Sequence, residues 1–127
     1  MYDYTVSSTK SVEELRDALI ETVPTVKFGV LWELDLKATL IKKGLDYDKK
    51  SLIFEVCSPA KAKALLEHNQ AAIYFLPCKV AIYEGEGVTH IGLPLPTTQA
   101  RLLEDKKLEE MAKEVEDVLI GVIDQIK

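Results

Sequence analysis

The chain is poor in the residues that carry most covalent and metal chemistry, with two cysteines, two histidines and one tryptophan among 127 residues. Two cysteines do not make a secreted disulfide framework, and Cys57 and Cys78 lack the C-x-x-C spacing of a dithiol motif. Together with His68 and His90 they lie on separate stretches with no i, i+3 or i+4 pair, so no metal site is expected. No fully apolar run approaches the length of a bilayer span. A charged-then-apolar leader, a G-x-S-x-G nucleophile elbow and a phosphate-binding glycine loop are all missing. These absences predict a cytoplasmic protein with no membrane partner.

Positive charge is also in short supply. Sixteen Lys and Arg stand against 21 Asp and Glu, a formal charge of −5. Nucleic-acid binding through phosphates needs a concentrated basic surface. The lysine pairs Lys42–Lys43, Lys49–Lys50 and Lys106–Lys107 each have acidic neighbours and read as solvated faces. No nucleic-acid partner is expected. The apolar fraction of 47% and the length suit one globular domain, residues 1–127, whose core needs no disulfide or metal.

The order of elements follows from periodicity. Tyr2 to Ser8 alternate as a strand, and Ser11 with Glu14 forms a capping box for a helix carrying Leu15 and Leu19 and closed by Pro24. In "VKFGVLWELD", Val26, Phe28, Val30, Trp32 and Leu34 fall on one face of a second strand. Asp35 caps a short helix that Gly44 stops. Ser51–Cys57 is a third strand. Ser58 at the cap and Pro59 at the first helical position start a helix that runs to about His68. Residues 71–96 supply further strands, broken at Pro77 and turned at "EGEG". A long amphipathic helix with Leu108, Met111, Val115, Leu119 and Val122 on one stripe ends the chain. The stripe suits the cover of a sheet and also a dimer seam. The order β-α-β-α-β-α-β-β-α predicts an α+β or α/β two-layer sandwich with helices on a mixed sheet.

Two places stand out as candidate sites. Cys57 precedes the Ser58-Pro59 helix start, where the positive end of a helix dipole favours thiolate. It reads equally as a small buried side chain at a strand end. Cys78 shares parity with Val80 and Ile82 and is expected to face the core. Glu33 and Asp35, two apart at a strand end, suit acid–base work or cation binding, or simply a solvated end leading into a helix cap. No catalytic residue is assigned.

The succession "FGVLWELDLKATLIKKG", "CSPAKAKALL", "FLPCKVAIYE" and "LPLP" resembles domain-of-unknown-function family 302 over roughly residues 2–125. The matching positions are Phe28, Gly29, Glu33, Asp35, Lys43, Cys57, Pro59, Ala62, Leu65, Leu76, Pro77, Cys78 and Val80. Ser58 and Lys79 stand where the family usually has asparagine. The resemblance implies a compact two-layer α/β fold, a homodimer and no assigned activity, and it leaves the cofactor unknown. The expected function is a non-enzymatic homodimer that binds a small molecule or a partner. The alternative is a thiol-dependent redox or ligand-binding protein centred on Cys57 and Cys78, with Ser58, Pro59, Pro77, Glu33 and Asp35 around them.

Overall fold

The computed structural model describes residues 1–127. Five strands, β1 (Asp3–Ser8), β2 (Gly29–Asp35), β3 (Ser51–Cys57), β4 (Cys78–Gly85) and β5 (Val88–Pro94), form one sheet in the order β1-β5-β4-β3-β2. The helices are α1 (Val12–Thr22), α2 (Leu36–Lys42), α3 (Pro59–His68), α4 (Pro96–Arg101) and α5 (Lys106–Ile126). Helices on one sheet make this an α+β fold, with elements broadly in the order read from the sequence.

The sheet is antiparallel at every pairing, not mixed. The helix between β3 and β4 does not carry the chain along the sheet to start a parallel strand. Instead the segment 58–77 folds back, and β4 begins beside the residue where β3 ended, with Cys78 opposite Val56. α1 crosses the whole sheet and leaves β1 and β2 at opposite edges. Neither hydrogen-bonded neighbourhood is therefore a parallel βαβ unit.

One helical layer covers one sheet face. Leu15 and Leu19 of α1 and Leu108, Val115, Leu119, Val122 and Ile126 of α5 are buried against Phe54, Val56, Val80, Ile82, Ile91 and Leu93. Alternation along β3 and β4 sends every second side chain into this layer. The stripe of α5 lies inside the chain's own core, so it is not available as a dimer seam.

β2 departs from the expected alternation. Val30 lies opposite Val56 but Trp32 lies opposite Glu55, so Leu31 is the extra residue of a bulge. The slip reverses the faces beyond it. Val30 points to the helices, whereas Trp32 and Leu34 point to the uncovered face, beside Ile53, Glu55 and, one strand further, Ala81. Trp32 is 48% exposed and Leu31 61%. The expected common face of Val26, Phe28, Val30, Trp32 and Leu34 also fails at its start, because Val23–Val26 is a turn of 3₁₀ helix.

Two further differences are local, and the turn expected at "EGEG" is made. Residues 70–74 form a second 3₁₀ turn rather than a strand. Pro96 opens the short helix α4 as well as ending the strand region. The β4–β5 hairpin closes through Glu86-Gly87, both at positive φ (56° and 76°), the geometry of a type I′ turn.

Candidate functional site

The seven candidate residues divide between the two ends of β3. Gly29 pairs with Cys57 at one end, and Asp35 pairs with Leu52 at the other. Five residue steps along β3 separate these pairs, about 17 Å. Cys57, Ser58, Pro59, Pro77 and Cys78 gather at the first end. Glu33 and Asp35 gather at the second.

At the cysteine end the chain leaves β3, makes α3 and returns. Ser58 holds the extended backbone of a helix cap (φ −103°, ψ 109°) and Pro59 takes the first helical position. The expected side-chain cap is not made: no hydrogen bond joins the Ser58 hydroxyl to the first turn. Proline has already removed one of the donors there, and the Ser58 carbonyl accepts from Ala62 N–H at 2.9 Å. Leu76-Pro77 is a cis peptide, and Cys78 follows it into β4.

Cys78 is 6% exposed and belongs to the core with Val80 and Ile82. Cys57 is half-buried, and both thiols are free. They border one void of about 10 Å³ with Phe28, Val56, Ser58 and Leu76, at the lower limit for a single water. Burial pushes the Cys78 thiol up to about 12, with a smaller contribution from nearby Cys57. Burial also raises Cys57. Burial thus favours the neutral form of both groups, the reverse of the activated thiolate that the position before α3 suggests.

The carboxylate end is open. The bulge at Leu31 turns Glu33 and Asp35 toward the helical layer, opposite Phe54 and Leu52. Arg16 of α1 reaches Glu33 with a two-pronged contact, Nε to Oε2 at 2.6 Å and Nη2 to Oε1 at 3.0 Å. The Glu33 carboxylate raises the Arg16 guanidinium above its ordinary value. Asp35 Oδ1 accepts from Ala38 N–H at 2.9 Å and caps α2, as its position in the sequence predicts. Beyond them Lys50 pairs with Glu13 at 2.9 Å, a contact that raises the lysine and lowers the glutamate.

Between α1, β2, α2 and the start of β3 these residues enclose a cleft of about 390 Å³. Val12, Ala38, Ile41 and Leu52 give it apolar walls, and Lys37 adds a third cation. The volume lies within the range of small-molecule pockets. Arg16, Lys37 and Lys50 are absent from the sequence-derived candidates. Arg16 lies on α1, Lys37 on α2 and Lys50 just before β3, and no short spacing links them.

The histidines serve elsewhere. His68 Nε2 stands 3.0 Å from both oxygens of Asp105, which also accepts from Asn69 Nδ2 and from the backbone N–H of Leu108 as cap of α5. His90 lies against Tyr83 (ring centroids 5.2 Å apart), with Nε2 3.2 Å from the Gly85 carbonyl. No helix is long and apolar enough to cross a membrane.

Comparison with known proteins places this geometry in a family. Residues 4–126 match the family described as Domain of unknown function DUF302. The crystal structure of an uncharacterized conserved DUF302 protein from Bacillus stearothermophilus is similar at 36% sequence identity. It superposes with a TM-score of 0.97, over 100% of this chain and 99% of that one. No curated protein matches.

Proposed function

The chain belongs to the DUF302 family, and on that footing we propose that it is a cytoplasmic, non-enzymatic module that binds a small ligand and acts as a homodimer. The observation that carries the ligand-binding reading is the cleft between α1 and α2, with its ion-paired rim and apolar walls. All but Lys37 of its charged groups are engaged, Glu33 by Arg16, Glu13 by Lys50, and Asp35 as a helix cap. Groups fixed in this way orient a ligand but are poorly placed to exchange protons with one. Two free thiols suit a reducing compartment.

Two features support the homodimer. The sheet face away from the helices carries Trp32, Leu34, Ile53, Ala81 and Tyr83, and no helix of the chain covers it. α2 fully buries none of its residues, although it contains Leu36 and Leu40. Size-exclusion chromatography with light scattering tests the assembly. The expected result is a dimer that Trp32→Glu converts to monomer. A monomer at all concentrations, together with no small molecule raising the melting temperature, would remove both parts of the proposal.

The alternative, a thiol-dependent function, has the nearness of Cys57 to Cys78 in its favour. It requires an opening of the void between them.

A further inference from the structure

We infer that the cleft between α1 and α2 takes a small organic monocarboxylate with a short apolar body, its carboxylate received by Lys37. The inference rests on the ligand-binding reading above and names the chemistry of the ligand. The argument begins with a balance of charge. Three cations and three carboxylates line the cleft. Arg16 is held by Glu33 and Lys50 by Glu13, while Asp35 caps α2. Lys37 is the lining cation with no carboxylate within ion-pair distance. With Asp35 turned to the α2 backbone, the Lys37 ammonium is the lining group left to receive an anionic oxygen.

The same balance sets the size of that charge. A carboxylate satisfies Lys37 and leaves one negative charge in excess. A phosphate monoester, close to doubly charged, brings a second charge against Glu13, Glu33 and Asp35 with no cation free to meet it. A ligand ammonium would meet only Asp35, whose Oδ1 already accepts from Ala38 N–H as the cap of α2.

The apolar body follows from the walls. Val12 and Leu52 are buried side chains at the base, and Ile41 on α2 is 53% exposed at the rim. An aliphatic chain lying between them removes apolar surface from water on both sides, which is the main source of affinity in such pockets. Ile41 and Lys37 lie four residues apart on α2, so they share a helix face and meet one ligand together.

Titration of the ¹⁵N-labelled protein with hexanoate, hexylammonium and hexan-1-ol tests this. Hexanoate should shift the amide signals of Ala38 and Ile41 and saturate in the millimolar range expected of so small a ligand. Lys37→Met should weaken hexanoate about tenfold or more and leave hexanol unchanged, and Ile41→Lys should weaken hexanol. If hexanol or hexylammonium binds in the cleft as tightly as hexanoate, or if Lys37→Met leaves hexanoate unaffected, the carboxylate assignment is wrong while the cleft remains a binding site. If none of the three shifts these signals, the ligand-binding reading fails with it.

Discussion

Glu116, in the middle of α5, accepts two hydrogen bonds from Thr97: one from the backbone N–H at 3.1 Å and one from the hydroxyl at 2.6 Å. Thr97 is the second residue of α4, whose cap position is Leu95, a side chain that cannot accept. A carboxylate from a neighbouring helix thus does what a local serine or aspartate usually does at a helix start. Glu116 is only 5% exposed, and Lys113 approaches it at 3.9 Å.

Glu116→Ala is therefore expected to cost about 2–3 kcal/mol, because it leaves a buried N–H and hydroxyl without a partner. Glu116→Gln keeps an acceptor and should cost about half as much. Urea denaturation of the three proteins measures both values. Equal stability of all three would show that water replaces the carboxylate at no cost.

Asp105 makes stability depend on acid. Bonds from Leu108 N–H and His68, with a smaller one from Asn69, hold its carboxyl at about 2, below the ordinary 3.8. A depressed folded value means that the unfolded chain binds the proton first as pH falls. The stabilisation is complete above about pH 4 and is lost between there and about pH 2. Asp105→Asn still caps α5, since asparagine caps well. The variant should show a shallower decline of stability across that window. Denaturation midpoints at several pH values decide it, and parallel curves for the two proteins would refute the assignment.

Much of this arrangement was legible in the sequence, and the reason is locality. The capping box of Ser11 and Glu14, the Asp35 cap, the Ser58-Pro59 helix start and the inward face of Cys78 all rest on residues a few positions apart. The bulge at Leu31 was not legible, because its signature is a pairing offset against β3 that leaves no mark in the composition of β2. Its consequence is large: it turns Glu33 and Asp35 into the cleft and Trp32 out of the core. The Glu116–Thr97 and Arg16–Glu33 contacts join residues 19 and 17 positions apart. Only the tertiary fold brings such pairs together. The cysteine pair was legible as a place in the fold but not as a closed one, since packing density has no sequence pattern.

The β4–β5 turn offers a stabilising change. Glu86 holds φ of 56°, a left-handed conformation that costs a side-chain-bearing residue about 1–2 kcal/mol and that asparagine adopts routinely. Gly87 already fills the second position of the turn. Glu86→Asn produces the Asn-Gly pair preferred in type I′ hairpins and should add about 0.5–1 kcal/mol. A rise in melting temperature checks this. A fall would mean that the Glu86 side chain makes a stabilising contact of its own.

The thiols give the most direct view of the cysteine end. With its thiol pushed up to about 12, Cys78 holds roughly one part in ten thousand as thiolate at pH 8, and it is almost wholly shielded from reagent. Labelling with a thiol-specific reagent should therefore show Cys57 reacting more slowly than a free cysteine. Cys78 should react only when the structure opens. If opening limits Cys78, the Glu116→Ala variant should label faster by the factor its lost stability predicts, about tenfold for each 1.4 kcal/mol, provided reclosing is fast. Cys57→Ser in the same background separates the two signals. A Cys78 that labels rapidly in the native protein, at a rate indifferent to stability, would mean that the void beside Phe28 and Leu76 opens on its own. The thiol-dependent alternative would then become the better account of this chain.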